Sequence, residues 1–358
     1  MTDADYFVWG GSVVEGDDGK YHMFYAIFDS GENMPKFSDS WLLSSKIAYA
    51  VSDYPDKGFV FKKIVLYGAA ADGNPDAWDA QGVHNPHIKK FDGKYYLYYI
   101  GSRDPGDRPE GDPGFNLNKR NRIQQVQAVA VIGVDKIEDF VNGNFVRPDK
   151  PMLTARTRVK KDNVIDPSPE GTVALPDNLI VVNPTFEYRP SDKKYLFYFK
   201  GNLYDPGWRG AHGVAIGDSP EGPFIPKDDF VFDMRTPEGK IASAEDPYVW
   251  YHPGSELFYA VFKDFSGNFT GENPGLAVMI SPDGLKWEMH PQRLFAPKEI
   301  PLIDGSSIKV SNLERPQFLI NKKGEPVAMY AACSIAGCGP KTDGSTFNIQ
   351  FGIEVSYK

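Results

Sequence analysis

Two carboxylates stand side by side in EDPYVWYHPGSELFYAVFK, at Glu245 and Asp246. Another stands beside a cation in ERPQ, at Glu314 and Arg315. Burying an unpaired carboxylate is costly, so acids that open an apolar run are usually paired, ligated or functional. Two carboxylates facing one substrate could divide acid/base work, one donating a proton and the other remaining ionised. His84 and Asp79, in NPDAWDAQGVHNP, are further candidates for the same chemistry. Asp79 also reads as a turn residue. Asp246 and Arg315 read equally well as an ion pair joining neighbouring elements.

These residues are far apart in the chain, so a repeat must bring them together. Five stretches share one plan of apolar strand, tight polar turn and second apolar strand. They are residues 10–28, 84–102, 182–202, 245–265 and 314–334. The turns DDGK, FDGK, SDKK, PGSE and KKGE have hairpin chemistry. A third strand follows each hairpin: KIAYAVSD, VQAVAVIGVD, HGVAIGDSPEGPF, GLAVMISPDGLKWE and FNIQFGIEVSY. FVFKKIVL and FVRPDKPML are candidates for a fourth. Helical periodicity is scarce. The pattern predicts an all-β chain, a five-bladed β-propeller of four-stranded antiparallel blades around a central channel. One domain over residues 1–358 is expected, with 154–179 as an inter-blade loop.

In a propeller, the start of each inner strand faces one rim of the channel. The residues before the proline position are Ser12, Asn85, Asn183, Asp246 and Arg315. One position earlier stand Gly11, His84, Val182, Glu245 and Glu314. Strand alternation should point the two sets in different directions. Lys200 and Lys263 end matched second strands and should face the same rim. With Arg315 and Arg209 they should make it locally basic, suited to a carboxylate or sulfate on a substrate. Trp9, Trp41, Tyr204, Trp208 and Phe265 could stack on sugar rings.

The chain carries a net charge of −9 with a pI of about 5.3, which argues against a nucleic-acid partner. It has no apolar run long enough to span a bilayer. Met1 is followed by TDADYFVW, which lacks a leader pattern. A cytoplasmic location follows, or an exported one if a leader has been removed. Cys333 and Cys338 read as free thiols, or as a loop disulfide in an exported protein. No cofactor is required, although a divalent cation such as calcium could sit in the channel near His84 and the Asn pair.

The strings WGGS, HNP, EDPY and LERPQ, in this order, resemble the five-bladed propeller glycoside hydrolases. That group contains the family 43 arabinanases and xylosidases and the family 117 neoagarooligosaccharide hydrolases. The resemblance implies a family 43-like hydrolase cleaving a plant or algal oligosaccharide, exo-acting because long loops close the rim. It makes Glu245, two residues before Pro247, the general acid. The family 43 base and its pKa-tuning partner fall at Ser12 and Asn183, which are not acids. Family 117 uses a Glu in an ERP-like segment, matched by Glu314. Glu314 or Asp79 is then the base, with Asp246 as partner. Trp9, Ser12, His84, Asn85, Asn183, Lys200, Arg209, Lys263 and Arg315 are the expected substrate-binding residues. A phosphorylase on the same fold and a carbohydrate-binding propeller without catalysis are the alternatives.

Overall fold

The computed structural model describes residues 3, 5–31, 34, 36–204, 207–271, 274–335 and 346–354. Five antiparallel sheets are arranged as the blades of a propeller. Blade one is Tyr6–Glu15, Tyr21–Asp29, Lys46–Ser52 and Val60–Leu66. Blade two is Gly82–Phe91, Lys94–Ser102 and Ala128–Val134. Blade three is Val182–Arg189, Lys194–Tyr204, Trp208–Gly217 and Phe224–Pro226. Blade four is Ala244–His252, Leu257–Asp264, Gly275–Ser281 and Glu288–Pro297. Blade five is Glu299–Pro301, Ser307–Ile320, Pro326–Ile335 and Thr346–Gly352.

The five predicted hairpins are the first two strands of blades one to four and the long pair of blade five. Blade two departs from the four-stranded plan. FVRPDKPML forms no strand there, and only Leu153 bridges the blade, to Val129. Two prolines in that stretch remove the N–H groups a ladder needs. Cys333 is a buried free thiol, while Cys338 lies outside the described residues.

The core lies in the wedges between blades. Strand Lys94–Ser102 shows why its sequence is apolar throughout. Tyr96, Tyr98 and Ile100 pack towards blade three, and Tyr95, Leu97 and Tyr99 towards blade one. A strand buried on both faces needs no polar alternation. Blades one and five close the ring through packing of Val8, Tyr25 and Ile27 on Leu319, Ala328 and Tyr330. Thr346 Oγ1 also accepts from Val8 N at 2.9 Å across that seam.

Each inner strand has one edge facing the channel, where its N–H groups would lack a ladder partner. Side chains of the preceding blade supply acceptors. Ile88 N donates to Ser12 Oγ at 3.0 Å, and Phe186 N to His87 Nε2 at 3.2 Å. Val249 N donates to Thr185 Oγ1 at 3.2 Å. Tyr248 continues the row from the other side, its hydroxyl donating to Phe318 O at 2.8 Å.

All five inner strands break register at the rim end, between Trp9 and Gly11, His84 and His87, Val182 and Thr185, Glu245 and Tyr248, and Glu314 and Gln317. The bulged residue has positive φ in each: Gly10 59°, Asn85 49°, Asn183 54°, Asp246 56° and Arg315 55°. Blade one therefore aligns through Gly10, and Ser12 falls two positions deeper, with His87, Thr185, Tyr248 and Gln317. Gly10 has two reasons to be glycine. Its φ is left-handed, and an added Cβ would stand 3.1 Å from Arg315 Cγ. Gly10→Ala is expected to cost ~1–2 kcal/mol for the left-handed backbone alone, with a further loss from displacing Arg315. Denaturant unfolding of the two proteins measures this.

Candidate active site

The bulge has a chemical consequence. In a regular strand, neighbouring side chains point to opposite faces. Here two successive residues of four blades open onto one cavity: His84 and Asn85, Val182 and Asn183, Glu245 and Asp246, Glu314 and Arg315. The alternation expected from sequence is suspended at the bulge. The cavity measures about 160 Å³, and Trp9, Trp41 and Lys200 are also in its wall. Single oxygens of Glu245, Asp246 and Glu314 lie within 4.8 Å of one another.

Three cations meet the three acids. Lys200, on the second strand of blade three, bonds Glu245 of blade four. Lys263, at the matching position of blade four, bonds Glu314 of blade five and stands 3.7 Å from Glu245. One device is thus used twice, a lysine reaching the glutamate of the next blade. In the reverse direction, Arg315 donates to Asp246 through its backbone N at 3.2 Å and Nη1 at 3.3 Å. Asn312 Nδ2 adds a bond to Glu314 Oε1 at 2.7 Å.

The environments push the two adjacent carboxyls apart. Burial raises Glu245, but Lys200 and Lys263 outweigh it and hold the group below its usual range. Burial pushes Asp246 up to about 6, against Arg315 and with help from Glu245 and Glu314. His84 is pushed down to about 3 by burial and Arg315, so its imidazole is neutral at ordinary pH. Gln127 holds its Nε2 at 3.0 Å.

The structure brings Glu245, Asp246, Glu314, Trp9, His84, Asn85, Asn183, Lys200 and Arg315 into the cavity wall, with Lys263 bonded behind it. Ser12, Asp79 and Arg209 are not among its walls. Ser12 belongs to the inter-blade row described above. Arg209 donates to Ile241 O at 3.1 Å. Asp79 is fully buried, accepting from Arg147 Nε at 2.9 Å and Tyr99 Oη at 2.8 Å. Asp79→Ala should therefore act on stability, by ~3–5 kcal/mol for breaking a buried pair, while the folded fraction keeps its activity. Thermal unfolding beside active-site titration separates the two effects.

Of the two lysines expected at the rim, Lys200 lines the cavity and Lys263 does not. Each is matched by an acid, so the cavity is balanced rather than basic. A divalent cation at the acidic triad would have to displace ammonium or guanidinium groups already bonded there. The Asn pair bond each other, Asn85 Nδ2 to Asn183 Oδ1 at 3.2 Å. Sequence reasoning misses Gln124, Gln127 and Asn202, which also line the cavity. Only Asn202, two residues beyond Lys200, carries a signal that could have found it.

The fold and this rim define a five-bladed propeller with a carboxylate-lined cavity at one mouth of its channel. No known family profile and no curated protein matches the sequence. The chain is similar to Zg3597, a family 117 glycoside hydrolase produced by the marine bacterium Zobellia galactanivorans. The two share 16% identity with a TM-score of 0.60, over 98% of this chain and 85% of that one. It is also similar to a thermostable family-43 glycoside hydrolase, with a TM-score of 0.59 and 10% identity over 99% of this chain and 92% of that one. An endo-arabinase from Bacteroides thetaiotaomicron is similar at a TM-score of 0.55 and 10% identity, over 99% and 97%. At these identities the likeness is one of fold.

Proposed function

We propose that the protein is a glycoside hydrolase that removes a terminal residue from a plant or algal oligosaccharide. The observation that carries this reading is the adjacent pair in the cavity, Glu245 held ionised and Asp246 held protonated below about pH 6. Hydrolysis of a glycosidic bond needs that division of labour. The fold neighbours support the substrate class, since they include family 117 and family 43 glycoside hydrolases and an endo-arabinase. Cavity size supports exo-action. At about 160 Å³ it suits one sugar ring, being smaller than the ~300–1,000 Å³ of typical ligand sites.

The pKa directions assign the roles differently from the family 43 pattern. Asp246 is the acid that protonates the leaving oxygen, and Glu245 is the carboxylate that attacks or activates. With one oxygen of each acid within 4.8 Å of the others, we take the retaining arrangement, with carboxyl groups ~5–5.5 Å apart, over the inverting one at ~6.5–9.5 Å. Glu245 is then the nucleophile. Lys200 and Lys263 keep it ionised, and Arg315 orients Asp246. Both lysines are already paired, which leaves the cavity poorly equipped to hold phosphate as a phosphorylase must.

A panel of defined oligosaccharides, with and without phosphate, tests the reading. Release of a terminal sugar without phosphate, with retained anomeric configuration by NMR, is the expected result. A phosphate requirement would replace hydrolysis by phosphorolysis. An inverted product would move the base to Glu314. A carbohydrate-binding propeller is the second reading, favoured by the pairing of the three carboxylates in the cavity wall, each with a cation, and by the first and third bulges carrying Gly10 and Asn183 in place of acids. Binding without turnover across the panel would decide for it.

A further inference from the structure

A second compartment of about 240 Å³ adjoins the cavity and shares Gln124, Ile180 and Asn202 with it. Its charge is unlike that of its neighbour. Arg120 and Lys160 line it, and among the described residues no Asp or Glu does. Amides of Asn121 and Asn163 complete the polar wall, and Trp208, half exposed, forms one side. We propose that this compartment is a second sugar-binding subsite, taking the part of the glycan beyond the scissile bond, and that the sugar bound there carries an anionic group. The inference rests on the hydrolase reading for the position of that bond.

Both cations are held in place with charge to spare. Arg120 donates to neutral acceptors, Ser38 O at 2.9 Å, Asn121 Oδ1 at 3.0 Å and Gln124 Oε1 at 2.7 Å. Its nearest carboxylate, Asp39, is 3.7 Å away. Lys160 has an exposed partner, Asp162, at 3.5 Å. The Lys160 ammonium also lies 5.0 Å from the Trp208 ring centre and 5.1 Å from that of Tyr204. A ring platform beside a cation suits a sugar face with a charged substituent.

The compartment is built by two long connections. Arg120 comes from the short helix Lys119–Gln124, between the second and third strands of blade two. Lys160 comes from the loop joining blades two and three. That loop is fastened by Asn178, whose Oδ1 accepts from Thr157 Oγ1 at 3.0 Å and Val159 N at 2.8 Å. Arg158 ties it further, Nη1 donating to Gln125 O at 2.5 Å and Leu179 O at 3.2 Å. Lys160 is therefore preorganised, which lowers the ordering cost of binding.

Carboxylate and sulfate share this chemistry, and calorimetric titration distinguishes them. The probes are a galacturonate tetramer and its methyl ester, and a sulfated galactan tetrasaccharide and its desulfated form. One acidic probe should bind about ten- to a hundredfold tighter than its neutral counterpart. Added salt should narrow the gap. Lys160→Gln should remove most of the difference, and Lys160→Glu should reverse it, with unfolding midpoints near that of the parent. Equal binding of acidic and neutral probes, binding of none, or a preference that survives Lys160→Glu overturns the proposal. The titration uses resting protein and needs no turnover. Acid-selective binding without cleavage of any oligosaccharide would sink the hydrolase reading and leave the subsite. Cleavage with no acid preference would do the opposite.

Discussion

Asp246→Asn is expected to lower turnover of an oligosaccharide by ~10²–10⁴-fold, the usual worth of a positioned general acid. The carboxyl is buried in the cavity wall and pushed up to about 6. Burial keeps the proton there, and ionisation would also place a third negative charge beside Glu245 and Glu314. Activity should therefore fall as pH rises through about 6, and the variant should lose that alkaline limb. Asparagine still offers an oxygen to Arg315, so the blade-to-blade contact persists and thermal unfolding should show a folded protein. An aryl glycoside with an activated leaving group needs no protonation and should restore much of the lost rate. Unchanged turnover of a natural oligosaccharide by Asp246→Asn would return the acid to Glu245.

Glu245→Gln should produce a loss of similar size, ~10²–10⁴-fold, with a different signature. Its carboxyl is held below the ordinary range, so parent activity should fall only as pH drops below that of a normal glutamate. With Asp246 at about 6, the two limbs give an acidic optimum. An activated aryl glycoside should not rescue this variant, because the missing group acts at the anomeric carbon. Azide should instead rescue Glu245→Ala, entering the space the side chain leaves and yielding a glycosyl azide of inverted configuration. Glutamine keeps an acceptor for Lys200, though the ammonium loses its counter-charge and some stability is expected to go with it. Near-normal turnover by Glu245→Gln would exclude it as nucleophile and leave Glu314 as the carboxylate to test.

Much of this site is legible along the chain. Glu245, Asp246, Glu314 and Arg315 fall on one rim because hairpins with like turns must stack as like blades. Lys200 and Lys263 follow from their matched positions at the ends of second strands. Blade one misaligns because its marker differs. The other four blades announce the bulge with a proline, whereas blade one has Gly10 and Gly11 in WGGS and offers no proline to count from. Asp79 looks like a rim residue by proximity in sequence, yet its charge is spent on Arg147 inside the fold.

What the sequence by itself determined is therefore the repeat: strand, turn and strand, five times, with apolar runs that need a neighbour on each face. Those properties are local, set by side-chain alternation and turn geometry within a few residues. The tertiary structure alone decided that Glu245 and Asp246 share a cavity, because a one-residue bulge cancels alternation without changing composition. It alone decided in which directions the two acids are shifted. That depends on Lys200, Lys263 and Arg315 reaching across from other blades, and on burial, and both are distances through space that no spacing along the chain encodes.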